Sequence, residues 1–148
     1  KWLREVKALG TDSHDEESLL ARSVADGELA AGFANHYYAL RVLNSRQDPP
    51  IDVHFTSGGA GALINVSGVG VLRGTENREL AGNFVRHLLS AEAQEFFATR
   101  AFAYPTVPDV PPAGGLPTID ELNPPDVDLT ELSDLQPTTE LLRDVDLL

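Results

Sequence analysis

Two adjacent phenols, Tyr37 and Tyr38, are the residues of this chain best suited to unusual chemistry. They close the stretch Gly32-Phe33-Ala34-Asn35-His36-Tyr37-Tyr38, where a short apolar run gives way to an amphipathic one. In a strand, neighbouring side chains point to opposite faces, so two consecutive tyrosines share no target. In the first turn of a helix they stand about 100° apart and can converge on one point. That junction also presents unsatisfied backbone N–H groups and the positive end of a helix dipole, which suits phenolates and a bound oxyanion. A phenol is a poor ligand at neutral pH, since its reference pKa is about 10. Only a strongly charged, hard cation would displace two phenol protons there; ferric iron is the biological candidate, and magnesium or calcium would not suffice. The competing reading is packing, because an aromatic pair after an apolar run more often fills a core.

Other chemistry-bearing patterns are weaker. The histidines His14, His36, His54 and His87 are scattered, and no two have metal-ligand spacing on one helix. Gly68-Val69-Gly70 with Gly74 has the wrong spacing for a dinucleotide fingerprint, and Gly58-Gly59-Ala60-Gly61 lacks the ending of a phosphate-binding loop. Ser57 and Ser67 do not sit in a nucleophile elbow. Asp126, Asp128, Glu131 and Asp134 lack the order of a calcium loop and read as a solvated acidic face. Asn65-Val66-Ser67 has the glycosylation pattern but falls in a predicted strand, which would bury it.

The elements around the phenols follow from periodicity and punctuation. Trp2, Leu3, Val6 and Leu9 recur at helical spacing, and Gly10 ends that helix. Ser13-His14-Asp15-Glu16 has the form of a capping box opening a second helix that Gly27 closes. Residues 29–34 read as a strand buried on both faces, and their small side chains let helices pack close. The helix bearing the tyrosines is expected over 36–46. Strands are expected over 51–55, where apolar and polar residues alternate, and over 62–72. Leu80, Phe84, Val85, Leu88 and Leu89 form one stripe of a helix over 76–89, and Ser90 can cap another over 91–100. Seven prolines between 105 and 125 predict a meander or linker. Two short helices, over 129–135 and 138–145, would dock through Leu132, Leu135, Leu141 and Leu142.

Composition narrows the classes. With 148 residues and 42% hydrophobic content the chain is long enough for a globular core. The absence of cysteine removes disulfides, thiolate metal sites and cysteine nucleophiles. A net charge of −12, from 11 basic and 23 acidic residues, argues against nucleic-acid partners. Lys1 and Lys7 are the only lysines, and an acidic, lysine-poor surface suits a high-salt, halophilic setting. No apolar run reaches the length of a membrane span, and no signal peptide is seen. A first residue other than methionine suggests a processed or truncated product.

Four segments in register resemble ferric-ion-binding proteins of ABC-type importers, the transferrin-like bacterial members of the periplasmic-binding-protein class. Gly27-Glu28-Leu29 through Tyr37-Tyr38 resembles their iron-site segment, and residues 61–72 their interlobe crossing. Residues 84–97 resemble their helix pair, and Ala103-Tyr104-Pro105 the turn after it. The resemblance implies an α/β, class II, two-lobed periplasmic-binding-protein-like fold, with this chain as its second half. Residues 1–64 would belong to the C-lobe, 65–110 would cross into the N-lobe, and 111–148 would return as an acidic, proline-rich segment. Tyr37 and Tyr38 would be ferric ligands, and Asn35 would help hold a synergistic anion, phosphate or carbonate. Glu17 stands where members often place a second asparagine. Its carboxylate would repel an anion, so that contact is lost, or a different anion or a direct carboxylate ligand takes over. The remaining ligands would come from a missing N-terminal half, the partner would be a membrane ABC permease, and the location would be the periplasm or extracellular face, with an anchor in the absent N-terminus.

The reading is binding, not catalysis: an enzyme using either phenol as acid or base lacks a partner group nearby. The alternatives are a binding protein of the same fold for a polyamine, thiamine, phosphonate or sulfate, and a non-binding fragment. Visible colour separates the ferric reading from the other-solute one, since ferric phenolate absorbs visible light and organic ligands do not. The charge pattern also has a direct consequence. Residues 109–148 carry ten acidic side chains and one basic one, Arg143. Salt shortens the range of their repulsion from about 10 Å at 0.1 M to about 3 Å at 1 M. The thermal unfolding midpoint is expected to rise between low and molar potassium chloride; an unchanged or falling midpoint would show that these charges do not act on stability.

Overall fold

The structure is a computed structural model that describes residues 1–11 and 13–148, the side chain of Glu131 lying outside that description. Seven α-helices follow one another among the described residues: α1 (Trp2–Ala8), α2 (Glu17–Ala25), α3 (His36–Ser45), α4 (Arg78–Leu88), α5 (Ala91–Phe96), α6 (Ile119–Leu122) and α7 (Gln136–Arg143). The chain divides into two units. One comprises Lys1–Ala34 with Asp126–Leu148, the other Asn35–Pro125.

In the first unit the glycine stops act as expected. Gly10 takes φ +84° after α1 and Gly27 takes φ +76° after α2, left-handed positions that residues with a Cβ rarely adopt. The capping box expected from Ser13 and Glu16 does not form. The N-cap is Glu16 itself, with extended φ −136° and no side-chain cap. Its carboxylate instead accepts from Ser18 Oγ at 2.8 Å. Ala21 and Ala25 form the buried face of α2. Gly32 lies so close to Leu20 that a Cβ there would stand 2.9 Å from Leu20 Cγ, which is the use foreseen for small residues in this run. Trp2 meets Phe33 edge to face at 6.3 Å, and Lys7 Nζ donates to the Asp146 carbonyl at 2.8 Å. The two short C-terminal helices are present, as a 3-10 turn over Leu129–Ser133 and as α7. Of their four expected docking residues, Leu132, Leu135 and Leu141 are exposed and Leu142 is half-buried, while Val145, just beyond α7, is the buried side chain.

In the second unit α4 and α5 are the two consecutive helices that periodicity and the Ser90 cap predict. Ser90 caps α5 by accepting from Ala93 N, and a π-helical turn over Phe97–Ala101 prolongs it. Buried Gln94 joins three segments: its Nε2 donates to the Leu88 carbonyl at 2.8 Å, and its Oε1 accepts from Thr106 N at 2.7 Å. Within the proline-rich segment, Thr118 and Glu121 build a complete capping box for α6, and buried Leu122 follows. The Leu122 carbonyl then accepts from Gly58 N at 2.9 Å. The prolines predict no helix here, whereas Thr118-x-x-Glu121 carries the signal for one.

The expected strands at 29–34, 51–55 and 62–72 are absent, and the described residues contain no strand. Residues 51–55 keep the sidedness of a strand, with Ile51, Val53 and Phe55 half-buried and Asp52 and His54 exposed. Residues 60–62 form a 3-10 turn, and Val66, Val69, Val71 and Leu72 beyond it are exposed. The physical reason is pairing: a strand exists only where a neighbour takes its N–H and C=O groups, and no described segment does so here. The Asn65-Val66-Ser67 pattern is therefore exposed, not buried. Likewise Leu80, Phe84 and Leu89 on the apolar stripe expected for residues 76–89 are exposed.

The box at α6 gives a measurable expectation. Two hydrogen bonds from Thr118 hold the Glu121 carboxyl below its usual range. A folded pKa that is depressed adds stability above the unfolded pKa, and this is lost as pH falls through the folded one. Thr118→Ala should cost about 1 kcal/mol, as loss of an N-cap does. It should also move the Glu121 titration, followed by NMR, only part of the way toward that of a free glutamate, because the Thr118 backbone N–H still donates to the carboxylate at 2.7 Å.

Candidate metal centre

The tyrosine pair lies in the first turn of α3, as the sequence requires for a shared target. Asn35 is the N-cap, with φ −63° and ψ 132°, and its carbonyl accepts from Tyr38 N at 3.1 Å. Asn35 does not use its side chain as a cap, and no acidic residue lies in the first turn. The positive end of the helix dipole is thus not offset by a carboxylate of that turn. The Tyr37 and Tyr38 rings lie 4.7 Å apart at 48°. Both side chains are half-buried.

Arg41 completes this face. Its guanidinium carbon stands 5.7 Å from the Tyr37 ring centre and 5.8 Å from that of Tyr38. Position 41 is i+4 from one tyrosine and i+3 from the other, so one cation reaches both rings. The sequence reading did not single out Arg41, although that spacing was legible.

His36 anchors the start of α3. Its Nε2 lies 2.7 Å from the Phe102 carbonyl. A carbonyl only accepts, so this nitrogen carries the proton and donates. The imidazole also meets Tyr37, Phe55 and Tyr104 at 5.5, 5.7 and 5.4 Å between ring centres. Tyr104 OH donates to the Pro117 carbonyl at 2.7 Å. Its phenol is pushed above the ordinary value near 10, mainly by burial and further by the charge of Glu121.

Glu17, the other residue expected near the anion, lies in the first turn of α2, within the other unit. The structure thus brings Asn35, Tyr37 and Tyr38 together on one helix start. The described residues contain no group of three or more histidine, cysteine, aspartate or glutamate side chains placed to hold a metal ion. No described helix is long and apolar enough to cross a membrane.

Residues 1–126 match the family described as bacterial extracellular solute-binding protein, and the chain belongs to that family. Family membership carries a periplasmic-binding-protein-like fold. The chain is 32% identical over 145 residues to the major ferric iron-binding protein of Neisseria meningitidis serogroup A, covering 96% of this chain and 44% of that protein. It is 34% identical over 148 residues to iron uptake protein A1 of Synechocystis, covering 94% and 41%. Iron uptake protein A2 of the same organism is 32% identical over 121 residues, covering 75% and 35%. The chain therefore spans less than half the length of the curated relatives it matches.

The phenol of Tyr104 supplies a test of the anchor. A raised folded pKa leaves its stabilisation whole below about pH 10 and removes it as pH rises through the folded value. The unfolding midpoint should fall on the alkaline side together with the growth of phenolate absorbance. Tyr104→Phe should lower stability at neutral pH by about 1 kcal/mol, the worth of one hydrogen bond, and flatten that alkaline fall.

Proposed function

We propose that this chain is part of the solute-binding component of an ABC-type importer for ferric iron, with Tyr37 and Tyr38 as iron ligands. The observation that carries the reading is the tyrosine pair with rings 4.7 Å apart in the first turn of α3. It is supported by relatives named for ferric iron binding and iron uptake. Hard phenolate oxygens match a small trivalent ion, and the need to deprotonate them makes affinity fall with acidity. Binding is reversible sequestration, with no bond made or broken in the solute other than coordination.

In this reading the fold is α/β and two-lobed, of class II. Residues 1–64 and 111–148 lie in the C-lobe, and residues 65–110 belong to the N-lobe. The extended runs become strands when residues outside this sequence supply their neighbours. Those residues, in an N-terminal half, also provide the remaining ligands. Asn35 faces a synergistic anion, phosphate or carbonate, and Glu17 either forgoes that contact or takes the metal directly. Closure of the lobes on the ion is the signal a membrane permease reads outside the cytoplasm, and an N-terminal anchor would keep the protein there. The acidic, lysine-poor surface fits a salt-rich milieu.

Ferric titration of the intact natural protein should raise a visible phenolate-to-iron band. Tyr37→Phe and Tyr38→Phe keep the rings and remove the ligand oxygens, so each should leave the fold in place and weaken iron binding by about a hundredfold or more, as loss of a charged ligand does. Colourless binding of a polyamine, thiamine, phosphonate or sulfate would assign the same fold a different solute. Iron binding by both variants at parental strength would remove the tyrosines from the site.

A further inference from the structure

Two phenols hold one ion tightly only if both oxygens are already aimed at it, and a helix end frays unless something outside it fixes the first turn. His36 opens α3, immediately before the pair. Its half-buried imidazole donates from Nε2 to the Phe102 carbonyl at 2.7 Å. A backbone carbonyl is as rigid as the turn that carries it, and this turn is fastened on both sides. Ala98 before it is buried, and Gln94 Oε1 takes the Thr106 N–H after it at 2.7 Å. Between them Ala103 N donates to the Phe97 carbonyl at 3.2 Å. On the other end of the chain of contacts, the imidazole meets the Tyr37 ring edge to face, at 5.5 Å and 72°. The Tyr37 ring in turn lies 4.7 Å from that of Tyr38. Ring packing alone leaves an imidazole free to turn in its plane, whereas packing together with a hydrogen bond fixes both of its torsions.

We propose that His36 is a positioning residue for the iron site: its bond to the Phe102 carbonyl sets the aim of the Tyr37 phenol, and through the ring contact that of Tyr38. This rests on Tyr37 and Tyr38 being iron ligands and deepens that reading by naming the group that orients them. Iron release is then governed in part from residue 102, which carries no ligand. The hydrogen bond, and not the bulk of the ring, is the working part.

The test compares the intact natural protein with three variants. His36→Phe keeps a ring and removes the donor. His36→Gln keeps a donor at a similar reach and removes the ring, and His36→Met matches glutamine in length without the donor. Each is loaded with ferric iron and challenged with excess aminocarboxylate chelator, while circular dichroism checks the fold. The visible phenolate band reports both occupancy and ligand geometry. In His36→Phe and His36→Met iron should leave about tenfold faster, the usual cost of losing a group that orients a metal ligand, and the band should shift. His36→Gln should release iron at close to the parental rate with the band in place. Parental release and an unmoved band in His36→Phe and His36→Met would overturn the role of His36 while leaving the tyrosine site standing. Equal impairment of all three variants would overturn it too, since the imidazole would then act through its ring or touch the ion itself. A parent that binds no iron, or binds it without a visible band, would overturn the tyrosine site and the His36 role with it.

Discussion

The start of α3 is held by a hydrogen bond that a helix cannot provide for itself. The first turn of any helix has unsatisfied N–H groups and frays readily. Here the imidazole of His36 donates to the Phe102 carbonyl and is enclosed by Tyr37, Phe55 and Tyr104. Phe102 follows the π-helical turn in a left-handed conformation, φ +59°, which a bulky residue adopts only when its surroundings impose it. The chain reverses there, and residue 102 presents its carbonyl to a histidine 66 positions earlier. The orientation of the phenols on the next two positions depends on this anchor, since the same turn carries all three rings.

What sequence reading recovered was local. Helix starts and stops follow from backbone sterics, so Gly10, Gly27 and Ser90 could be placed without any knowledge of the fold. The tyrosine pair was legible for the same reason, because residue spacing alone decides whether two side chains share a face. The strands could not be settled this way. A period-2 pattern such as that of residues 51–55 reports which side is apolar, whereas a strand also needs a partner some distance away along the chain. Arg41 went unnoticed because a charged residue on an amphipathic helix is ordinarily solvent-facing; its meaning comes from two neighbours at once. Glu17 lies in a different unit from the phenols, a relation that no spacing rule addresses.

The apolar residues are distributed unevenly between inside and outside. The buried positions are mostly small: Ala21, Ala25, Ala62 and Ala98, with Val42, Leu122 and Val145. The exposed ones are large, among them Phe33, Leu72, Leu80 and Phe84. Burial of such side chains is worth about 1.5–3 kcal/mol each, so an arrangement that covers them would gain far more than these alanines supply. Polar interactions also organise the second unit. Gln94 stitches the α4–α5 pair to residue 106, and the Thr118–Glu121 box fixes a helix of four residues.

The extended run after the 3-10 turn has a further consequence. Across residues 63–72 the described backbone donates once, from Val66 N to its neighbour Asn65 Oδ1. Amide hydrogens in α4 are shielded from exchange by their own helix, and that shielding exists as soon as the helix does. Those of the extended run acquire shielding only from whatever pairs with them. Exchange along residues 63–72 is therefore a clock for assembly, and exchange along α4 a clock for folding, two events that the same chain keeps apart by a few residues.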